Sequence, residues 1–121
     1  MKFNNETIRE AVKQWLKDAT KAESKYGHIS SWDTSGVTDM SSLFKDAVYF
    51  NDDIGSWDVS NVTNMQEMFK GDYRKEAQIF NQDIGEWNVS NVTNMNNMFY
   101  SAIRFNQPIG TWKVSNVTDM S

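Results

Sequence analysis

Apolar residues recur along most of this chain in fixed columns. Ile29, Ile54, Ile84 and Ile109 form one, and Trp32, Trp57, Trp87 and Trp112 the next. Val37, Val62, Val92 and Val117 follow, then Met40, Met65, Met95 and Met120. Leu43, Met68 and Met98 make a further column, beside Phe44, Phe69 and Phe99. Ala47, Ala77 and Ala102, then Phe50, Phe80 and Phe105, complete the apolar set. Within each copy the step between apolar residues changes. Trp57 and Val59 alternate with polar neighbours, which predicts a short strand over 57–60 and its copies. From Thr63 onward Met65, Met68 and Phe69 follow helical spacing, which predicts one to two helical turns. Thr63 and Gln66 are placed as a capping box at their start.

Residues 4–25 carry a different pattern. Ile8, Ala11, Val12, Trp15, Leu16 and Ala19 recur at three- and four-residue steps, with Arg9, Glu10, Lys13, Lys17 and Lys21 around them. That is one amphipathic helix. Asn4 is placed as its N-cap, Thr7 with Glu10 as a competing capping box, and Gly27 as its left-handed stop. The stripe has no copy elsewhere, so it is expected to cover the open first face of the repeats, with Trp15 and Leu16 pointing inward.

The copies are 25, 30 and 25 residues apart, measured between the tryptophans of WDTSGVTDM, WDVSNVTNM, WNVSNVTNM and WKVSNVTDM. Periods of this length predict one supersecondary unit stacked on itself. The spacing Ile54-x-x-Trp57-x-Val59 also matches the leucine-rich-repeat skeleton with bulkier residues. The expected fold is therefore an α/β repeat solenoid, leucine-rich-repeat-like, with an N-terminal capping helix. It forms a single domain, with the cap at 1–27 and tandem repeats of about 25 residues at 28–121. The five extra residues of the longer period are assigned to 71–75, Gly-Asp-Tyr-Arg-Lys.

The repeated phrase FNQ-x-I-G-x-W-x-V-S-N-V-T-N-M, with the lead-in EAVKQWL and KYGHISSWDTSGVTDMSSLF, resembles the BspA-like leucine-rich-repeat surface proteins. These are sometimes described by the mycoplasma lipoprotein-associated repeat. The resemblance spans about residues 28–121. It implies repeat arrays on microbial cell surfaces, adhesion or protein–protein contact, and no catalytic residues to carry over. Neither a lipobox cysteine nor a long run of repeats is present here.

Charge narrows the partners. Residues 1–27 carry six basic and four acidic side chains, and residues 28–121 carry six basic and twelve acidic. The repeats thus stand at −6, which disfavours nucleic acid and anionic membrane. The start MKFNNETIREAVKQWL lacks a signal-type apolar run, and nothing reaches transmembrane length, so a soluble chain is expected with no membrane insertion. With no cysteine there is no disulfide and no thiolate.

Candidate chemistry is sparse. His28 is the lone histidine, and its expected place is the junction of cap and repeats. The Asp-rich NDDIG at 51–55 faintly resembles a calcium loop, but its copies NQDIG and NQPIG lose the carboxylates. Asn51, Asn81 and Asn106 are better read as an amide ladder that satisfies backbone groups. The sequons at Asn5, Asn61, Asn88, Asn91 and Asn116 are read as copied turn chemistry. No cofactor and no metal site is expected. The Met, Phe and Trp columns are assigned to the core, each indole N–H needing one partner.

Variable positions inside the fixed frame carry the functional expectation. Asp33, Asp58, Asn88 and Lys113 form one outward column, flanked by Ser31, Ser56, Glu86 and Thr111. Asp72, Tyr73 and Arg74 in the insertion add an interface-like composition. Deleting 71–75 is expected to spare the fold and to weaken partner contact. The expected function is a non-enzymatic protein-binding or adhesion module. The alternative is an assembly subunit whose open repeat end docks another chain or self-associates. A remoter one is a hydrolase using Asp and Glu pairs.

Overall fold

The computed structural model describes residues 2–71, 78–102 and 104–118. The cap is two helices rather than one, α1 (Asn5–Lys17) and α2 (Ala19–Tyr26). Asn4 caps α1: its side chain accepts from the Glu6 and Thr7 N–H groups, and Thr7 Oγ1 accepts from the Asn4 N–H. The box therefore closes on Thr7 and does not involve Glu10. Asp18 ends α1 in extended backbone and starts α2 by accepting the Lys21 N–H at 3.2 Å. Gly27 then ends α2 with φ +80°, a region open to glycine at no steric cost.

That break corrects the predicted stripe. Ile8, Ala11, Val12 and Trp15 are buried, but Leu16 is 44% exposed. On an unbroken helix Ala19 would fall in line with Val12 and Trp15. The break turns it outward, and Ala22 takes the buried place.

The α/β solenoid is likewise not what forms. Among the described residues there are two α-helices and one 3-10 turn (Ile29–Ser31), with no strand and no sheet. Contacts of strand type are isolated parallel bridges, Lys2 to Asp33, Asp39 to Asn64 and Asn64 to Asn94. Each copy is instead a run of tight turns. In the second, Trp57 N–H bonds the Ile54 carbonyl, Val62 bonds Val59, and Met68 bonds Met65. These i to i+3 bonds occupy groups that a ladder would need. The segment expected as helical turns is interrupted by left-handed residues, Ser42, Glu67 and Asn97 at φ 58°, 57° and 54°. A residue in that region reverses the chain, so no helix propagates through it.

The copies nonetheless lie in register against one another. Met40, Ser42, Phe44 and Asp46 donate to the carbonyls of Asn64, Gln66, Met68 and Lys70 at 2.8–2.9 Å. Met65, Glu67, Phe69 and Gly71 repeat this towards Asn94, Asn96, Met98 and Tyr100. Side chains follow the same frame. Phe44, Phe69 and Phe99 stack at 5.7 and 5.6 Å, and Phe50, Phe80 and Phe105 at 5.7 and 5.9 Å. Indole N–H groups of Trp57, Trp87 and Trp112 donate to the carbonyls of Ile29, Ile54 and Ile84, one copy back. The amide ladder also forms: Asn81 N–H donates to Asn51 Oδ1 at 2.8 Å and Asn106 N–H to Asn81 Oδ1 at 2.9 Å. Gly55 lies so close to the Asp83 carbonyl of the next copy that a Cβ would collide with it.

Gly71 belongs to this frame. Its N–H reaches the Tyr100 carbonyl as Asp46 reaches Lys70, and it is buried. The inserted residues therefore begin after it. Asp72, Tyr73, Arg74 and Lys75 lie outside the described residues. Because Gly71 packs against Gln78 and the Ser101 carbonyl, a deletion that included it would remove part of the stack.

Candidate functional site

The outward column is exposed at Asp33, Asp58, Asn88 and Lys113. Its first three members are fixed by their own turns. Oδ1 of Asp33, Asp58 and Asn88 accepts the N–H of Ser35, Ser60 and Ser90 at 3.0, 3.0 and 3.1 Å. Ser35 and Ser60 hydroxyls add bonds of 2.6 Å to the two aspartates. The sequence signal was present in D-T-S, D-V-S and N-V-S, because Asp and Asn bond the backbone two residues on. Lys113 stands at the same place in the fourth copy.

These bonds hold both carboxyls below the usual range. For Asp33 the Ser35 hydroxyl is the largest cause and the Ser35 N–H the next; for Asp58 the Ser60 groups act in the same order, while the Asp33 charge opposes them. The folded form therefore binds its protons less readily than the unfolded chain. Its extra stability is complete above the ordinary value near 3.8 and is lost as pH falls through the lower folded value. Asn88 holds the same turn without a charge. Urea denaturation at neutral pH and near pH 2.5 is expected to show a smaller acid loss for Asp58→Asn than for the parent chain. Equal losses would show that this turn takes no part.

Two members of the column, Asn88 and Lys113, border a shallow furrow made of two hollows; Asp33 and Asp58 line neither of them. A shallow hollow of about 530 Å³ is lined by Glu86, Asn88, Thr111 and Lys113 over Trp87 and Val89. A second, about 480 Å³, is lined by Asp53, Ser56, Gln82, Asp83 and Glu86. Glu86 lines both. The fold thus gathers Ser56, Glu86, Asn88, Thr111 and Lys113 along one surface, and sets Asp33 and Asp58 at the same register two and one copies earlier. Sequence reasoning missed Asp53, Gln82 and Asp83, whose signal was their place beside the constant Asn51 and Asn81. Gln82 Nε2 donates to the Asn51 carbonyl and Oδ1, and Asp53 and Asp83 accept the Gly55 and Gly85 N–H groups.

Other candidates have structural partners. His28 Nδ1 accepts the Ser30 N–H, and its ring meets Trp15 edge-on at 5.1 Å. Asp52 of the calcium-like phrase accepts the Trp15 indole N–H at 3.0 Å, tying cap to repeats. Asn61, Asn91 and Asn116 donate Nδ2 to the carbonyls of Ser35, Ser60 and Ser90, one copy back, so these sequon amides tie copies together where local turn chemistry was expected. Glu67 is held by Lys45 and Lys70, each at 3.2 Å. Among the described residues no group of three or more His, Asp or Glu is arranged to hold a metal, and no helix is long and apolar enough to cross a membrane.

No curated protein and no solved structure matches the chain. A family of mycoplasma proteins does, in keeping with the mycoplasma side of the resemblance carried by the repeated phrase, and its span takes in the cap together with every copy. The family is described as “Mycoplasma protein of unknown function, DUF285”; it matches residues 4–121, and the chain belongs to it.

Proposed function

We propose that this chain is a non-catalytic protein-binding module, working in adhesion or contact at a microbial surface. The observation that carries the reading is the furrow through Glu86, whose polar side chains stand on turns tied to the copy before by side-chain bonds: the Trp87 and Trp112 indoles donate to the Ile54 and Ile84 carbonyls, and Asn116 Nδ2 to the Ser90 carbonyl. Groups held this way lose little freedom on binding, so more of their contact energy appears as affinity. The likeness of the repeated phrase to BspA-like surface proteins supports the same role. The net charge of −4 favours a polar or basic protein surface over nucleic acid.

The test is labelled chain titrated onto intact animal cells, beside a double variant, Glu86→Lys with Lys113→Glu. Both residues are exposed, so the variant is expected to keep its denaturation midpoint. Saturable binding that is removed by protease treatment of the cells, and at least about tenfold weaker for the variant, is expected; about 1.4 kcal/mol corresponds to that factor. Absence of saturable binding, or equal binding by the variant, overturns the reading.

A further inference from the structure

Asn-x-Ser/Thr phrases begin at Asn5, Asn61, Asn88, Asn91 and Asn116, and each of these asparagines is exposed. Exposure therefore does not tell them apart. Their hydrogen bonds do. Asn5 Nδ2 donates to Thr38 Oγ1 at 2.9 Å, and Asn61, Asn91 and Asn116 donate Nδ2 to carbonyls of the copy before at 2.8, 2.7 and 2.6 Å. The hydroxyls of these phrases are also taken. Thr7 Oγ1 accepts the Asn4 N–H, and the Thr63, Thr93 and Thr118 hydroxyls donate to the carbonyls of Thr38, Thr63 and Thr93. Asn88 differs at both ends of its phrase. Its Oδ1 accepts the Ser90 N–H at 3.1 Å, while its Nδ2 and the Ser90 hydroxyl have no partner among the described residues.

We propose that Asn88 is an acceptor site for N-linked glycosylation, taking a hexose from a nucleotide sugar while the protein is folded. The transfer needs an amide nitrogen with no bond to give up, and a hydroxyl two residues on for the enzyme to recognise. Nδ2 forms a bond to C1 of the hexose, and the bond from C1 to the diphosphate oxygen breaks. The nucleoside diphosphate leaves with that electron pair, and the amide releases one proton. The turn at Asn88 favours this chemistry. Its Oδ1 is engaged by the Ser90 N–H, which draws electron density from the nitrogen and makes an Nδ2 hydrogen easier to remove, and both Nδ2 hydrogens stay unused. Room is present as well, because Asn88 borders the open hollow of about 530 Å³ beside Thr111 and Lys113. The site arises from one exchange between copies. The same turn carries Asp33 and Asp58 in the first two copies, where the Ser35 and Ser60 hydroxyls bond the carboxylates at 2.6 Å, and Lys113 in the fourth. The third copy alone pairs an amide with a free hydroxyl. This site stands apart from the proposed cell contact, since transfer is measured with no binding partner.

The folded 121-residue chain is incubated with UDP-glucose and a soluble N-glycosyltransferase that recognises Asn-x-Ser/Thr, and the products are read by intact mass and peptide mapping. Modification at Asn88 is expected, with Asn5, Asn61, Asn91 and Asn116 at least about tenfold slower because each has hydrogen bonds to give up first. Proteolytic peptides of the same chain lack those bonds, and are expected to accept hexose at Asn61, Asn91 and Asn116 too. Ser90→Ala is expected to abolish transfer to Asn88 without moving the denaturation midpoint. Asp58→Asn rebuilds the third copy's turn in the second, and is expected to add a modified position at 58. A folded chain that takes no hexose at Asn88 while its peptides are modified overturns the proposal. So do comparable rates at Asn88 and Asn91 in the folded chain, or an Asp58→Asn chain that gains no modified position.

Discussion

Replacing Trp15 with alanine is expected to lower the unfolding free energy by about 3–5 kcal/mol, the usual effect of emptying a large buried aromatic site. Trp15 is 5% exposed and meets Trp32 edge-on at 5.9 Å, so it is the slab through which α1 closes the first copy. Its indole N–H also holds Asp52, where the first copy runs into the second. Two variants divide these contributions. Trp15→Phe keeps most of the packing and removes the bond to the carboxylate, an effect of about 1.5–3 kcal/mol. Leu16→Ala, on the exposed edge of the same helix, is expected to change stability by about 0.5 kcal/mol or less. Urea denaturation measures all three. Comparable effects at Trp15 and Leu16 would mean that the cap does not seat as described.

Phe69→Ala is expected to cost about 3–5 kcal/mol as well, from a different cause. Phe69 is wholly buried at the crossing of two stacks: Phe44 and Phe99 lie above and below it, and Phe80 lies beside it at 4.3 Å. Flat rings at fixed spacing are held by backbone bonds on either side, so the neighbours have little room to collapse into the gap. Phe99→Ala provides the contrast, because Phe99 already faces an open hollow and its loss leaves a smaller enclosed void. The denaturation midpoints should therefore separate clearly. If the two substitutions cost the same, ring stacking between copies is not what closes the core.

The repeat frame was legible because it depends on side chains that must meet their own copies. Trp, Phe and Ile columns can face inward only if the copies register, and the constant Asn51, Asn81 and Asn106 have no use except between copies. Local backbone was not legible in the same way. Alternation at Trp57 and Val59, then three- and four-residue steps at Met65, Met68 and Phe69, fits a strand followed by helical turns. It fits consecutive tight turns equally well. The deciding residues are Ser42 and Glu67, left-handed without being glycine, and nothing in their side chains announces it. Asp18 likewise reads as one more polar residue on a helix until its side chain is seen capping α2. For the candidate site, exposure of Asn88 and Lys113 followed from alternation with buried neighbours. The furrow did not, because Glu86 acquires its place from how closely Gly85 lets the Pro108 carbonyl approach.

The tryptophan column has an optical consequence. Trp32 and Trp57 rings are 6.3 Å apart and Trp87 and Trp112 rings 6.4 Å, stacked within 15° and 7° of parallel. Indoles this close exchange excitation much faster than they emit. Trp87 is almost wholly enclosed and Trp112 only partly buried, so Trp112 has the lower-energy excited state of its pair. Light absorbed by the inner ring therefore drains towards the outer one before it is released. The Trp87–Trp112 pair behaves as an antenna with its outlet at Trp112, and the emission colour of that pair reports chiefly on what Trp112 touches.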